Sequence, residues 1–191
     1  MKFCTSCPAQ SCSMCSLDIT ICNKLSTSSS LERLHILVLI NPPFLLQSLE
    51  MLQLGNNALK GINGSWFQGM RNLLTLQLEG NLITKLPAGT FKSASLDKLE
   101  SLDLSDNLID FLAKGSFHGL PQLRRLDLSR NRLRSTPDAF SYLTWLSALN
   151  LDYNQWNCTC ESYPKTFIWL THTSRKPISK LFQYELNRQS R

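Results

Sequence analysis

The sequence predicts an α/β-type solenoid of short repeats, with a curved parallel β-sheet on its concave face. Three observations predict it: a nine-residue pattern, Leu-x-x-Leu-x-Leu-x-x-Asn, occurs five times; its first leucines are 24, 26, 24 and 23 residues apart; and apolar residues recur at fixed later positions. One such unit cannot bury its own apolar face, so stacked units form a continuous core. The five units begin at Leu49, Leu73, Leu99, Leu123 and Leu146.

Each unit supplies the same inward-facing layer. If the first leucine is position 1, the leucines at positions 4 and 6 point into the core. The later apolar positions are 11 (Leu59, Ile83, Ile109, Leu133), 14 (Ile62, Leu86, Leu112) and the phenylalanines at 18 or 19 (Phe67, Phe91, Phe117, Phe140). Units of this length leave little room for helix, so we expect short irregular or 3₁₀ returns on the convex face and few helices.

An asparagine ends the motif in every unit. These residues are Asn57, Asn81, Asn107, Asn131 and Asn154. An amide side chain both donates and accepts hydrogen bonds, so it can satisfy backbone groups at the turn that leaves each strand. The sequence therefore predicts a structural asparagine ladder.

The nine-residue motif resembles that of the leucine-rich repeat family, in its extracellular typical-repeat type with cysteine-rich flanks. The resemblance covers residues 49–154, the five repeats. It implies a non-enzymatic recognition module from a cell-surface receptor ectodomain or secreted glycoprotein, with signalling, innate-immune, adhesion or matrix roles. The fold alone does not name a partner.

The cysteines lie outside the repeats. Residues 1–30 contain Cys4, Cys7, Cys12, Cys15 and Cys22. They resemble the N-terminal flank of the family, in which Cys-Pro opens a disulfide-bonded cap and a final cysteine closes a β-hairpin; Cys4 is extra and the spacing is atypical. A zinc site is the alternative, since there are two Cys-x-x-Cys pairs. Only four residues separate these pairs, whereas zinc motifs usually place a dozen or more between them, so no metal is expected.

The other segments are less regular. Residues 31–48 resemble a shortened, degenerate repeat in which Pro42 takes the asparagine position. Residues 155–172, with Cys158 and Cys160, resemble the family's C-terminal cysteine flank, but two later cysteines are missing. Residues 173–191 form a basic tail that we expect to be disordered.

The ends of the chain give a mixed indication of location. The N-terminus lacks the apolar region of a signal peptide, and no segment has the 18 or so apolar residues of a membrane span. We therefore expect a fragment, an alternative product or an imperfect gene model of an extracellular or cell-surface protein. An intracellular, cytoplasmic scaffold or regulatory adaptor is the alternative. Asn63 and Asn157 begin glycosylation sequons, which matter only in the secretory pathway.

No group of residues predicts an enzyme or a cofactor. The three histidines lie in different segments, and there is no Gly-rich phosphate loop. Asp103 and Asp127 take equivalent positions in adjacent units and resemble a carboxylate pair, but an open, solvated sheet is not a catalytic cleft.

The outward-facing strand positions are the predicted ligand-binding surface. Positions 3, 5 and 7 alternate with the core leucines and face the concave side. The candidate binding residues are Met51, Gln53, Thr75, Gln77, Ser101, Asp103, Arg125, Asp127, Asn150 and Tyr153. This surface is polar without being uniformly charged, which suits a protein ligand better than a bare polyanion.

The fourth unit also contains a cluster of arginines. With Arg125, the predicted basic patch is Arg124, Arg130, Arg132 and Arg134. Such a patch can bind an acidic protein, a sulfated glycan or nucleic acid. Asp103 and Asp127 are expected to neutralise part of it, so a sulfated glycan is a secondary candidate and nucleic acid is not favoured. The oligomeric state does not follow from the sequence.

Overall fold

The computed structural model describes residues 12–15, 19–22, 47–135 and 139–156. Its strands in chain order are β1 (Cys12–Cys15), β2 (Ile19–Cys22), β3 (Met51–Gln53), β4 (Thr75–Gln77), β5 (Lys85–Leu86), β6 (Ser101–Asp103), β7 (Phe111–Leu112), β8 (Arg125–Asp127) and β9 (Ala148–Asn150). A seven-stranded sheet has the order β1-β2-β3-β4-β6-β8-β9, and β5 pairs with β7 in a second sheet.

The predicted solenoid is confirmed. Each repeat strand pairs in parallel with the next, and the pairing aligns the same repeat position in every unit. The central leucines of these strands, Leu52, Leu76, Leu102, Leu126 and Leu149, are at most 4% exposed. The alternation of leucine with polar residues therefore sets one face of the sheet against the core, as a period of two requires.

The convex side is built from short elements. A 3₁₀ helix covers Gly64–Phe67, and the Oδ1 atom of Asn63 caps it by accepting hydrogen bonds from the backbone N–H and hydroxyl of Ser65. Phe117 stacks between Phe91 and Phe140, with ring centroids 6.3 and 5.7 Å apart. Along the outer side, therefore, aromatic packing joins consecutive units.

The first repeat strand pairs with an N-terminal hairpin. β1 and β2 are antiparallel, with Cys12 opposite Cys22, and β2 then pairs in parallel with β3, with Ile19 opposite Met51. The place beside β3 that a preceding repeat would fill is thus taken by β2. Most of residues 31–48 lies outside the described residues, so their assignment as a degenerate repeat stays a prediction.

The cysteine flanks also stay predictions. The described residues include Cys12, Cys15 and Cys22 only as positions in β1 and β2. Outside the described residues lie Cys4, Cys7, Cys158, Cys160, the sequon at Asn157 and the tail 173–191. Within the part of the chain that the structure describes, no helix has the length and apolar character needed to cross a membrane.

Candidate functional site

Nine of the ten predicted binding residues, all except Tyr153, lie in two rows on the concave sheet, which Ala148 completes. Strand pairing puts the position-3 residues in register as Met51, Thr75, Ser101, Arg125 and Ala148, and the position-5 residues as Gln53, Gln77, Asp103, Asp127 and Asn150. All ten side chains are partly or largely exposed. We call these two rows the concave ladder.

Hydrogen bonds to the backbone hold the position-5 side chains of the last three units. Asp103 Oδ1 accepts from the N–H (2.9 Å) and hydroxyl (2.7 Å) of Ser105, and Asp127 Oδ1 accepts from the N–H of Ser129 at 2.8 Å. Asn150 Oδ1 accepts from the N–H of Asp152 at 3.1 Å, and Asn150 Nδ2 donates to Asp127 Oδ2 at 3.0 Å. These contacts fix the side chains before any ligand arrives, which lowers the entropic cost of binding.

The motif asparagines join consecutive units. Asn107 Nδ2 donates to the carbonyl of Leu78 in the preceding unit (2.9 Å) and to the carbonyls of Leu104 and Ser105, while its Oδ1 accepts from the N–H of Ile83. Equivalent bonds to the preceding unit are made by Asn81, Asn131 and Asn154. Asn57, in the first unit, bonds the carbonyls of Leu54 and Gly55 and is only partly buried.

Position 8 of every unit has a left-handed backbone, a feature that the sequence reasoning missed. The residues are Asn56, Gly80, Asp106, Arg130 and Tyr153, with φ between 51° and 66°. In the first four units the N–H at this position donates to the position-7 carbonyl of the next unit at 2.8 to 3.1 Å. The available signal was Asn, Gly and Asp in three units, since these residues tolerate this conformation best.

The arginines of the fourth unit do not form one patch. Arg125 lies on the concave ladder, Arg124 pairs with Glu100 at 3.8 Å, and Arg130 pairs with Asp106 at 3.5 Å. Among the described residues the ion pairs of these arginines are with Glu100 and Asp106 rather than with Asp103 or Asp127, whose carboxylates accept backbone and amide hydrogen bonds. Successive side chains alternate between the two faces of β8, and the chain turns after this strand, so the arginines point in different directions.

Tyr153 lies at the edge of the concave ladder rather than on a strand. It follows β9 at position 8 and is 62% exposed. The guanidinium of Arg130 lies 5.7 Å from the centre of its ring, a cation–π distance. Arg130 therefore joins Asp106 and Tyr153 in one row along this edge.

Glu79 is a concave residue that the sequence reasoning did not single out. At position 7 its Oε2 is buried and has no hydrogen-bond partner among the described residues. Burial raises the pKa of this carboxyl, the backbone N–H of Glu79 opposes that shift, and the charges of Asp103 and Asp106 raise the pKa further. A Cβ at Gly55 would lie 2.0 Å from Glu79 Oε1, so the glycine leaves the space that the carboxylate fills.

The described residues do not assemble a metal centre. Among residues 47–135 and 139–156 there is no group of three or more His, Cys, Asp or Glu side chains placed to hold a metal ion. Asp103 and Asp127 are direct neighbours across β6 and β8, but each has an oxygen held by backbone. The arrangement presents fixed donors and acceptors rather than a reactive pair.

Comparison with known proteins identifies the repeat. The family model described as "Leucine rich repeat" matches residues 47–100 and 97–155, more than half of the chain. The chain belongs to the leucine-rich repeat family. The match covers the units whose strands carry the concave ladder.

Extracellular and cell-surface leucine-rich repeat proteins are among the relatives. Leucine-rich repeat-containing protein 3 of Danio rerio is 42% identical over 46% of this chain and 32% of its own length. Toll-like receptor 5 of Homo sapiens is 38% identical over 66% of this chain and 15% of its length. Nephrocan of Mus musculus is 32% identical over 62% of this chain and 27% of its length.

A solved structure has the same fold. The crystal structure of a TLR13–ssRNA13 complex has a TM-score of 0.54 and 38% identity, over 58% of this chain and 15% of that chain. The chain thus spans a minor part of the relatives it matches, between 12% and 32% of their lengths.

Proposed function

We propose that this chain is a non-enzymatic recognition module that binds a protein partner on the concave ladder. The observation that carries the proposal is the in-register double row of partly exposed, mostly polar side chains on parallel strands. Rows of this kind present a rigid surface, so its side chains lose little conformational entropy when a ligand binds.

The chemistry of the ladder favours a protein surface. Gln53 and Gln77 offer donors and acceptors, Asp103 and Asp127 add negative charge, and Arg125 adds a positive charge. A mixed surface of this kind discriminates between partners through complementary charges and hydrogen bonds.

The proposed setting is extracellular or at the cell surface. It is supported by the relatives, which include Toll-like receptors, and by cysteines confined to the two ends of the chain. In this setting the N-terminal cysteines are free to form the disulfides of a cap, and the exposed Asn63 is available for glycosylation. The sequence-based expectation that nucleic acid is an unlikely partner is not confirmed, since one structural neighbour is a TLR13–ssRNA13 complex. The polar ladder nevertheless favours protein.

Two matched triple variants test the concave assignment. The ladder variant carries Gln53→Ala, Gln77→Ala and Asp103→Asn; the control variant carries Gln68→Ala, Gln122→Ala and Asp97→Asn, all at exposed positions outside the ladder. A multimerised form of the full chain is screened against an array of purified extracellular proteins, and each hit is measured by biolayer interferometry. We expect the ladder variant to lose about tenfold or more in affinity and the control to bind like the wild type. Equal affinity of the two variants for every hit would show that the partner does not use the concave ladder.

A further inference from the structure

A second candidate surface lies outside the concave ladder. It is a groove of about 700 Å³, lined by residues that follow the C-terminal ends of the repeat strands. Its lining residues come from positions 10, 12 and 13 of four successive units: Lys85, Asp110, Phe111, Arg132, Arg134 and Gln155. Since these positions lie beyond the nine-residue motif, the groove shares no residue with the ladder.

The groove contains an exposed aromatic ring. Lys85 and Phe111 are paired across β5 and β7, whose other residues, Leu86 and Leu112, are buried in the core. Phe111 is 50% exposed, although Phe91 and Phe117 on the same convex side are fully buried. A large apolar side chain that stays half in water gains free energy when a ligand covers it.

Positive charge surrounds this ring. The groove contains three basic side chains, Lys85, Arg132 and Arg134, and one acidic side chain, Asp110. Among the described residues, no carboxylate lies within 4.0 Å of the charged nitrogens of the three basic side chains. In contrast, Arg124 and Arg130 of the same unit have acidic neighbours. The groove therefore retains a net positive charge that is available to a ligand.

We propose that this groove binds an acidic segment of a partner protein in which an apolar or aromatic side chain lies among the carboxylates. The apolar side chain packs on Phe111, and the carboxylates bind Lys85, Arg132 and Arg134. Asp110 and Gln155 supply acceptors for backbone N–H groups of the segment.

Two features of the groove favour a peptide over other anions. Asp110 and Gln155 offer hydrogen-bond acceptors, which the backbone N–H groups of a peptide can satisfy and the phosphates of a nucleotide cannot. The half-exposed ring of Phe111 takes an apolar or aromatic side chain of the peptide, whereas a ligand bound through its sulfate groups alone would leave that ring in water.

The test uses the full 191-residue chain and a fluorescein-labelled peptide, Gly-Glu-Glu-Trp-Glu-Glu-Gly, measured by fluorescence anisotropy. Arg132→Gln with Arg134→Gln is expected to weaken binding about fivefold, as the loss of two exposed ion pairs predicts. The control, Arg71→Gln with Arg124→Gln, removes the same charge at exposed positions outside the groove and is expected to leave affinity unchanged.

A second comparison isolates the aromatic ring. Phe111→Thr keeps a residue suited to a strand and is expected to weaken the tryptophan peptide, but not a peptide in which glycine replaces that tryptophan. The ladder variant is expected to bind the tryptophan peptide like the wild type, so failure of the concave proposal is distinguishable from failure of this one.

Three results would overturn the proposal. The first is no binding of the peptide to the wild type, and the second is equal binding by the two arginine double variants. The third is binding of a heparin-derived oligosaccharide or single-stranded RNA that depends on Arg132 and Arg134 when binding of the peptide does not. In that case the groove is a polyanion site.

Discussion

At the scale of single residues, Glu79 is the least satisfied group of the concave face. One of its carboxylate oxygens is buried without a hydrogen-bond partner among the described residues, and the charges of Asp103 and Asp106 oppose its ionisation. A buried acceptor without a partner costs about 1 to 3 kcal/mol. Glu79 therefore lowers stability at a place where a donor from a ligand would be favourable.

Glu79→Gln is expected to stabilise the protein at neutral pH by about 0.5 kcal/mol, since the uncharged amide removes the cost of a partly buried charge that solvent screens in part. The folded-state pKa is raised above the ordinary value of 4.5, so the protonated form favours folding. That contribution is complete below pH 4.5 and is lost as the pH rises through the folded-state pKa. Urea unfolding at pH 4 and pH 7 should therefore show a gain at pH 7 and little at pH 4.

Glu50→Gln controls for the loss of one negative charge, because Glu50, at position 2 of the first unit, is exposed to solvent. A gain from Glu79→Gln that is the same at pH 4 and pH 7 would contradict this assignment of the buried charge.

Strand alternation predicted the concave ladder, but it did not predict the surroundings of each side chain. The two rows follow from a period of two. The carboxylate of Glu79 fills the space beside Gly55, which lies 24 residues earlier in the chain. No local sequence pattern predicts that these two residues meet. The split of the arginines likewise depends on the turn at Arg130, where the backbone becomes left-handed.

At the scale of elements, the motif asparagines connect one strand turn to the next. From Asn81 onward, each motif amide donates hydrogen bonds to carbonyls of its own turn and to a carbonyl of the preceding unit. These four asparagine side chains are at most 8% exposed. Buried donors and acceptors are costly to leave unpaired. The asparagine ladder therefore stabilises the stacking of consecutive units as well as the shape of each turn.

Asn107→Ala is expected to lower the free energy of unfolding by about 2 kcal/mol, because it leaves the N–H of Ile83 buried without a partner and removes one of the two amide donors to the carbonyl of Leu78. Asn57→Ala is expected to cost less, since that side chain is partly exposed to water. Urea denaturation followed by circular dichroism measures both. If the two variants lost the same stability, the buried bonds between units would not be the cause.

Some elements lay beyond what the repeat pattern predicts. Unit length correctly predicted returns with little helix, including the 3₁₀ turn at Gly64–Phe67. The pairing of β5 with β7 depends on how two returns lie side by side, which the length of one unit does not determine. In the first four units the left-handed turn at position 8 is held by the hydrogen bond to the next unit, so even Arg130 adopts it.

At the scale of the whole molecule, the described sheet begins with a hairpin instead of a repeat. In a solenoid each unit contacts only its neighbours, so stability depends on how the first and last units are covered. β2 pairs along β3 and thereby satisfies an edge that would otherwise present unpaired backbone groups. The five-repeat region was predictable from its periodic leucines, whereas this pairing joins residues 32 apart in sequence, Ile19 and Met51, outside any repeat.

Removal of residues 1–22, which contain both hairpin strands, is expected to lower the thermal unfolding midpoint by several degrees and to cause self-association through the uncovered edge of β3. Circular dichroism and size-exclusion chromatography with light scattering measure the two effects. Removal of residues 173–191, the segment predicted to be a basic disordered tail, is the control and is expected to change neither. An N-terminal truncation that keeps the oligomeric state and the unfolding temperature of the wild type would mean that the hairpin does not stabilise the solenoid, and that its first unit is covered by another part of the chain.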